Sequence, residues 1–437
     1  MTTWLVVLDD DPTGCQSVSG IPLLWKWDRA DLLALAHELP LATFLLTNSR
    51  SLPPADAVRI AGETTALLVE VAAEAGVDLR IISRSDSTLR GHFPAEVDAV
   101  ADALGEGGLH VDGIVLAPCF IEAGRYTIDD VQLVRRGTDI VPAARTEFAR
   151  DATFGYSELD LRSWAAARMA RPVETVRSIG LRTIWEGGPQ GVADVLAGLQ
   201  DRQVVVANAA SFDDLAVLAA GIEIAESAGR RFVYRTGPSF VRARAGLPAP
   251  PLVAAGELAY RDGFGLIVVG SHTTVTSQQL ERLLAGEHGP NDATELDVAS
   301  LLDPSLRAAE IERCATEVAA TIRSGTALLA TSRHVQHGDS AAASLTIASE
   351  VAAAVVEVAI TATRDVPPAW VLAKGGITSH DIAGALGGRR ATVLGSAEPG
   401  IIPIVRFESG LVYVVFPGNV GGPDSLANVV GLLERRP

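Results

Sequence analysis

The chain has 437 residues, of which 48% are hydrophobic and 20% are charged, a composition typical of a globular protein rather than a disordered one. This length exceeds what one hydrophobic core usually supports, so two domains are expected. The net charge of −17 argues against nucleic acid or an anionic membrane surface as a partner. An anionic ligand of such a protein needs local positive charge.

Cysteine usage and hydropathy predict a cytoplasmic location. Cys15, Cys119 and Cys314 are scattered and lack CxxC spacing, which is typical of reduced thiols. The apolar run before Asp9 is too short for a signal peptide or a membrane span. Alanine-rich stretches such as Val351–Ile360 are also predicted to be too short and too interrupted to cross a membrane.

Apolar strands alternate with helical patterns through the first half. In chain order we predict strand Trp4–Leu8, helix Asp28–Glu38 with Asp28 as its N-cap, strand Ala42–Leu46, a helix opened by Pro53 and Pro54 and ending near Glu74, strand Leu79–Ser83, a helix near Phe93–Ala103, strands Gly113–Ala117 and Gln203–Ala207, helix Ser211–Ala228 and strand Phe232–Tyr234. This alternation indicates a mostly parallel sheet covered on both faces. The segment from about Arg125 to Gln190 is less regular, and we expect it to be an insertion over the site.

A second alternating unit follows the proline-rich segment Gly246–Pro251, which we predict to be a linker. Its predicted strands are Leu266–Val269, Thr326–Ala330, Trp370–Ala373, Ile404–Phe407 and Leu411–Val415. The predicted fold class is α/β, with two domains (residues 1–245 and 252–437) that are each a mostly parallel sheet flanked by helices. We expect the active site in the cleft between them.

The first polar motif, Asp10-Asp11-Pro12-Thr13-Gly14, follows the first predicted strand. Polar residues at the carboxyl end of a strand lie on the usual ligand side of an open α/β sheet. The motif also fits an ordinary tight turn. A third interpretation takes Asp9, Asp11 and Thr13 as the nucleophile loop of a haloacid-dehalogenase-type phosphatase. That class needs a later lysine near an acidic pair, and neither Lys26 nor Lys374 has such surroundings.

The second motif, Ser83–Glu96, is the stronger signal, because it packs several polar groups between a strand and a helix. Its alternative interpretation is a helix N-cap with an unrelated arginine. In the functional interpretation, Arg90 binds a substrate carboxylate with two parallel hydrogen bonds. Asp86 then accepts a hydrogen bond from a substrate hydroxyl or takes its proton, with Ser85 beside it. Asp10 is the other candidate catalytic residue, and together with Asp11 these groups suit a small polyhydroxy acid.

Further candidate residues follow other predicted strands. Glu122 and Arg125 add an acid and an arginine after Gly113–Ala117. In the second half, glycine-rich strand–helix junctions expose backbone N–H groups where anions are stabilised, which predicts a cradle for nucleotide phosphates. These junctions contain Ser271, Lys374, Gly375, Gly376, Ile377, Thr378 and Gly418.

Other site classes find little support in the sequence. GxxxxGK[ST] and GxGxxG are absent, so neither a P-loop nor a dinucleotide fold is predicted. His334 and His337 could share a helix face but lack acidic partners, and we interpret them as surface or structural residues. Neither GxSxG nor a Cys/His pair indicates nucleophilic hydrolysis.

Taken together, these motifs and their order resemble the four-carbon acid sugar kinase family over nearly the whole chain. The resemblance implies a sugar-acid-binding domain followed by a nucleotide-binding domain, with ATP and Mg²⁺ as cofactors. It implies an acid pocket lined by Asp10, Asp11, Asp86, Arg90 and Arg125, and ATP contacts from Ser271, Gly375–Thr378 and Gly418. Thr146–Asp151 also resembles a family segment. The expected partner is a small sugar acid, without nucleic acid or membrane, and a homodimer is kept open.

The chain departs from the family pattern in two places. Cys15-Gln16-Ser17 stands where the family often has Ala-x-Asp. Phe416–Gly421 stands where many members have Lys-Ser-Gly-x-Phe-Gly, so either Lys374 or an arginine replaces the missing lysine near the phosphates, or the nucleotide site is weaker. The expected activity is ATP-dependent phosphorylation of the terminal hydroxyl of a tetronate-like acid. A sugar-acid sensor without a nucleotide site, or the phosphatase above, is the alternative.

Overall fold

A computed structural model describes residues 2–254, 257–258, 262–286, 289–333, 336, 341–418 and 420–435, with the backbone alone for 341–345 and 377. The chain divides into two compact units, Met1–Ala249 and Pro250–Pro437. This division falls inside the proline-rich segment Gly246–Pro251. Each unit has its own set of paired strands and its own hydrophobic core. The α/β fold class is confirmed.

The first unit is built on a parallel sheet of mostly buried strands. Its strands are β1 (Thr3–Asp9), β2 (Pro22–Leu24), β3 (Thr43–Leu46), β4 (Asp78–Arg84), β5 (Gly113–Ala117), β9 (Arg177–Ile179), β10 (Gln203–Ala207) and β11 (Phe232–Thr236), while β6 (Arg125–Ile128), β7 (Val131–Arg136) and β8 (Asp139–Pro142) form a separate sheet. The parallel strands lie in the order β2-β3-β1-β4-β11-β5-β10-β9. Near-continuous apolar runs are typical of strands covered on both faces.

The helices of this unit begin at capping signals that are visible in the sequence. They are α1 (Arg29–Glu38), α2 (Pro54–Ala75), α3 (Ala95–Glu106), α4 (Leu161–Met169), α5 (Leu181–Ala197), α6 (Phe212–Ser227) and α7 (Pro238–Arg244). Asp28 caps α1 by accepting from the amides of Ala30 and Asp31, which confirms the predicted N-cap. Ser211 caps α6 in the same way. The third helix begins at Ala95 rather than near Phe93, because Pro94 occupies its N-cap position.

The order of the strands sets where a ligand can bind. From β1 the chain goes first to β2 and β3 on one side and later to β4 on the other, and β3 and β4 both pair with β1 in parallel. Loops leaving neighbouring strands in opposite directions open a crevice at the carboxyl edge of the sheet, where α/β proteins bind ligands. The loops after β1, β3 and β4 therefore meet at this edge.

The segment predicted to be irregular contains regular structure of its own. Strands β6, β7 and β8 form an antiparallel sheet between Arg125 and Pro142. Helices α4 and most of α5 follow before Gln190. These short strands escape a search for long apolar runs, because only alternate residues of β7 are buried.

The second unit has a parallel sheet with an antiparallel edge. Its strands are β12 (Leu266–Val269), β13 (Thr294–Leu296), β14 (Ala327–Thr331), β15 (Trp370–Lys374), β16 (Arg390–Ser396), β17 (Pro403–Phe407) and β18 (Val412–Phe416), in the order β13-β14-β12-β15-β18-β17-β16. Strand β17 is antiparallel to both β16 and β18. Strand β12 lies between β14 and β15, so this sheet also has a crevice where the loops after β12 and β15 meet.

The helices of the second unit are α8 (Thr274–Leu284), α9 (Val298–Leu302), α10 (Arg307–Ile322), α11 (Ala341–Thr363), α12 (Gly376–Ala385) and α13 (Ser425–Glu434). The prediction that Val351–Ile360 is too short to span a membrane is wrong in its length, since α11 has 23 residues. Its stretch Thr346–Thr363 is long and apolar enough to cross a membrane, a property that core helices of soluble proteins share. Helix α11 packs against α9, α10 and α12.

Candidate active site

The carboxyl edge of the first sheet carries a chain of alternating charges. Arg50, which follows β3, donates to both carboxylate oxygens of Asp10, from Nε at 3.1 Å and from Nη2 at 2.5 Å. Its Nη1 donates to Asp11 Oδ2 at 3.1 Å. The other oxygen of Asp11 accepts from the amide and hydroxyl of Thr13 at 2.8 and 2.5 Å. These bonds fix Asp10 and Asp11 at the crevice, in agreement with the predicted position of both.

Asp9 lies one step deeper and is completely buried. Its Oδ1 accepts from Arg84 Nη1 at 2.9 Å, while Oδ2 has no hydrogen-bond partner among the described residues. Burial raises the pKa of Asp9 to about 7, with help from Asp10 and Asp11 and against the attraction of Arg84. A phosphatase nucleophile must reach its substrate, so this burial argues against the phosphatase interpretation.

Asp86 lies at the same edge, in the loop after β4. Its Oδ2 accepts from Arg90 Nε at 2.8 Å and from the Thr88 hydroxyl. Burial opposes ionisation, but Arg90 and Arg50 outweigh it and hold the pKa of Asp86 far below its usual value. Asp86 is therefore a permanently ionised acceptor that is 9% exposed.

Arg125, at the start of β6, is a cation at this edge that has no carboxylate partner among the described residues. Its Nη1 donates to Ser87 Oγ at 2.7 Å, and its buried Nε has no hydrogen-bond partner among the described residues. No carboxylate of the described ranges forms an ion pair with Arg125. Burial lowers the pKa of Arg125, and Arg90, Arg84 and Arg50 add to the effect against Asp86. Such a site attracts an anion.

Phe148 lies beside both arginines of this loop cluster. The Cζ atoms of Arg90 and Arg125 lie 5.3 and 5.4 Å from the centre of its ring. Asp151 Oδ2 is 3.9 Å from Arg90 Nη1. The segment Thr146–Asp151, singled out in the sequence, thus reaches the predicted acid pocket.

Glu122 and Ser85, which were predicted to bind the substrate, make hydrogen bonds to other parts of the protein. Glu122 accepts from Arg242 Nη1 at 3.3 Å and from the Ser239 hydroxyl, and among the described residues it makes no ion pair with the arginines above. Ser85 is buried and donates to the Arg90 carbonyl at 3.1 Å, so it supports the loop that carries Arg90.

Sequence reasoning missed Arg50, Arg84 and Arg235. Arg235 is 4% exposed and lines a small pocket, partly open to solvent, together with Ser85, Asp86 and Thr236. For Arg50 and Arg84 the missing information is the pairing of β1 with β3 and β4, since a buried aspartate at a strand end needs a cationic partner close by. Arg235 lies on β11, which pairs with β4 and β5.

The glycine loops of the second unit converge at its own sheet edge. Thr273 and Thr276 donate to the carbonyl of Gly418 at 2.8 and 3.1 Å, and Thr276 also donates to Ser271 Oγ at 2.9 Å. A Cβ placed on Gly418 would lie 2.9 Å from Ser271 Oγ and 3.9 Å from Gly375 Cα. The predicted residues after β12, β15 and β18 therefore form one surface of exposed backbone. Asn419 lies outside the described residues, as do His334 and His337.

Helix α12 begins inside this surface without a side-chain cap. Gly375 occupies the N-cap with φ of 122°, a backbone angle that favours glycine. Uncapped amides in the first turn, at Gly376, Ile377 and Thr378, are the groups that bind phosphate at a helix N-terminus. The backbone here fits a nucleotide phosphate.

Lys374 has a different position from the one predicted. It is completely buried, its Nζ donates to the Pro417 carbonyl at 3.1 Å, and Nζ lies 3.8 Å from the centre of the Phe416 ring. Burial lowers the pKa of Lys374 to about 7, although Glu398 opposes the shift. Its own carbonyl accepts from the Gly270 amide at 3.3 Å, so Lys374 joins the loops after β12 and β18.

A protein-built metal site is not seen in the described ranges, where no group of three or more His, Cys, Asp and Glu side chains gathers. Four aspartates at the sheet edge of the first unit, Asp9, Asp10, Asp11 and Asp86, are paired with arginines instead. The three cysteines are buried and unpaired.

Both halves of the chain match known domains. A sugar-binding N-terminal domain model matches residues 5–244, and a nucleotide-binding C-terminal domain model matches residues 266–426. D-erythronate kinase of Heliobacterium modesticaldum (strain ATCC 51547 / Ice1) is 30% identical over 328 residues, which cover 72% of this chain and 67% of that protein.

Solved structures share the fold over almost the full length. A candidate tRNA synthase from Salmonella typhimurium LT2 has a TM-score of 0.70 at 18% identity, covering 98% of this chain and 99% of that one. Haemophilus influenzae protein HI1011 has a TM-score of 0.62 at 16% identity, covering 98% and 100%. These identities show the fold alone. The two domain matches and the erythronate kinase relative show that the chain belongs to the four-carbon acid sugar kinase family.

Proposed function

We propose that this protein transfers the γ-phosphoryl group of ATP to the terminal hydroxyl of a four-carbon sugar acid of the threonate, erythronate or 3-oxo-tetronate type. The observation that carries the proposal is Arg125, a half-buried guanidinium without a carboxylate partner among the described residues. It lies one hydrogen bond from the loop of Asp86. A substrate carboxylate supplies the missing partner, and its hydroxyls supply donors for the aspartates.

In this proposal the first unit binds and orients the acid. The planar fork of Arg125 binds the carboxylate, with Arg90 beside it. Asp86, ionised at every working pH, accepts the hydrogen bond of the hydroxyl that attacks phosphorus, and so orients it. Asp10 has both oxygens occupied by Arg50, which favours Asp86 as the acceptor of that hydrogen bond.

The second unit binds the nucleotide in the proposal, through the backbone of Ser271, Gly375–Thr378 and Gly418. ATP supplies the phosphoryl group when bound. Mg²⁺ enters as the counter-ion of the nucleotide, with phosphate oxygens as its main ligands. The buried, unpaired cysteines support a reducing compartment such as the cytoplasm.

An ADP-release assay with ATP and Mg²⁺ over threonate, erythronate and 3-oxo-tetronate tests the proposal. We expect turnover with at least one acid, and failure with every sugar acid would reject it. Calorimetry identifies the sensor alternative, which binds an acid but gives no heat with ATP and Mg²⁺. Release of phosphate from sugar phosphates, lost on Asp9→Asn, would identify the phosphatase instead.

A further inference from the structure

Arg333 lies at the edge of the second sheet where the glycine loops converge. It follows β14, which pairs with β12 in parallel, so it stands beside the loop that leaves β12. Its Nη1 donates to the Ser271 carbonyl at 2.8 Å, and its Nη2 and Nε donate to Ser277 Oγ at 2.9 and 3.3 Å. The guanidinium is therefore held against a residue of the predicted phosphate cradle.

Neutral atoms alone accept hydrogen bonds from this cation in the described part of the chain. A serine hydroxyl and a backbone carbonyl are its hydrogen-bond partners, and Glu295 attracts the guanidinium without forming an ion pair with it. The side chain is half-buried, so it keeps access to solvent on one side. An arginine remains charged in proteins, and a charge without a carboxylate in contact, placed at a backbone anion cradle, is set to attract phosphate.

Lys374, the other cation of this edge, lacks that access. It is completely buried and already bonded to the Pro417 carbonyl, with the Phe416 ring against its ammonium. To reach a phosphate it would have to leave this contact and break the connection between the loops. Its geometry suits support of the loops rather than contact with the nucleotide.

We propose that Arg333 contacts the nucleotide phosphates directly, and that Lys374 is a positioning residue that holds the glycine loops behind them. This division rests on the proposed function, since it assigns a cation to replace the lysine that many family members have in the C-terminal glycine loop and that this chain lacks there. Arg333 presents a planar fork, so it can bind two oxygens of one phosphate or bridge two phosphates.

The test is a series of ligands with decreasing phosphate content: ATP, ADP, AMP and adenosine, titrated by calorimetry. For Arg333→Met we expect about thirty-fold weaker ATP binding, or about 2 kcal/mol at 1.4 kcal/mol per tenfold. The loss should shrink along the series until adenosine binds as in the wild type. The KM for the acid should stay unchanged.

Arg323→Met is the matched control. Arg323 is also an arginine with a neutral partner, the Ala319 carbonyl, but it precedes β14 and so lies at the opposite edge of the sheet. We expect wild-type affinity for the whole series. Ser277→Ala keeps the charge of Arg333 and removes its Oγ contacts, so ATP binding should weaken several-fold with the same dependence on phosphate content.

The outcomes separate the inference from the proposed function. If the wild type binds ATP and Arg333→Met binds it equally well, Arg333 does not contact phosphate, although the kinase proposal stands. An equal loss for adenosine and ATP would also overturn the inference, because it indicates a structural role. If the wild type binds no nucleotide at all, the proposed kinase function is rejected, and the inference about Arg333 is rejected with it.

Discussion

Arg90 and Arg125 differ in what already surrounds their guanidinium groups, and this difference ranks them as carboxylate ligands. Arg90 Nε is paired with Asp86, whereas Arg125 meets a neutral hydroxyl. We therefore expect Arg125→Lys to weaken acid binding about thirty-fold or more, in line with about 2–5 kcal/mol for a lost charge-assisted pair. A lysine cannot present the same fork. Acid and nucleotide KM values, measured separately, should show the loss for the acid alone.

Arg90→Lys is the direct comparison, and Arg136→Lys is the control. Arg136 forms an exposed pair with Glu147, so its replacement should leave both KM values unchanged. We expect Arg90→Lys to impair acid use less than Arg125→Lys does. The reverse ranking would return the carboxylate to Arg90, as the sequence alone suggested.

Gly91 is a residue of the acid site that has no room for a side chain. Its φ is +119°, and a Cβ would lie 2.6 Å from Arg235 Nη2, 2.9 Å from Ser85 Oγ and 3.0 Å from Asp10 Oδ2. We expect Gly91→Ala to raise the acid KM and to lower the melting temperature. Gly108→Ala shares a positive φ but meets no atom within 4 Å, so it should lose stability without losing acid affinity.

At the scale of elements, the loop between β18 and α13 is expected to serve the nucleotide. Gly418→Val would place a side chain against Ser271 and over the backbone that phosphates must approach. We expect a rise in the nucleotide KM with little change for the acid. Gly384→Val, in the neighbouring helix α12 with open space around it, is the control and should leave both KM values near the wild type. Equal losses for both substrates would contradict the assignment.

Elements with local signals could be predicted from the sequence. Helix α1 begins after Asp28 and α2 after Pro53, because caps and prolines act on their own neighbours. Strands of three residues, such as β2 and β13, were missed because they are too short to show a period. Helix α8 begins at Thr274 because Thr273 caps it.

The same distinction between local and long-range signals separates the site residues that could be predicted from those that could not. Asp10 and Asp86 could be predicted because each directly follows an apolar strand. Arg50 could not, because Ser49-Arg50-Ser51 has no distinctive neighbours in the chain. Only the pairing of β3 with β1 brings its guanidinium to Asp10, and that pairing joins residues about forty positions apart.

At the scale of the whole molecule, Asp9 and Lys374 should make the two units respond to pH in opposite directions. Asp9 has a pKa of about 7 against 3.8 in an ordinary aspartate, so the folded state holds the proton more tightly. Its contribution to stability is present below about pH 4 and is lost as the pH rises through 7. Lys374 has a pKa of about 7 against 10.5, so its contribution is present above about pH 10 and is lost as the pH falls through 7.

Thermal unfolding at pH 5, 7 and 9 measures both effects. Asp9→Asn should reduce the loss of stability between pH 5 and 7, and Lys374→Met should reduce the gain between pH 7 and 9. Asp56→Asn and Lys26→Met replace exposed groups and should leave both differences as in the wild type. If Asp9→Asn keeps the full change between pH 5 and 7, another group causes it.

The scarcity of lysine has a consequence for how this molecule can be observed. Lys26 and Lys374 are the lysines of the chain, one exposed in the first unit and the other sealed in the second. An amine-directed reagent therefore has a built-in reference, because Lys26 reacts in the folded protein whereas Lys374 reacts only when its surroundings open. The labelling of Lys374 relative to that of Lys26 therefore measures how often that local opening occurs. A nucleotide that holds the loops closed over Lys374 would lower the labelling of Lys374 and leave the labelling of Lys26 unchanged.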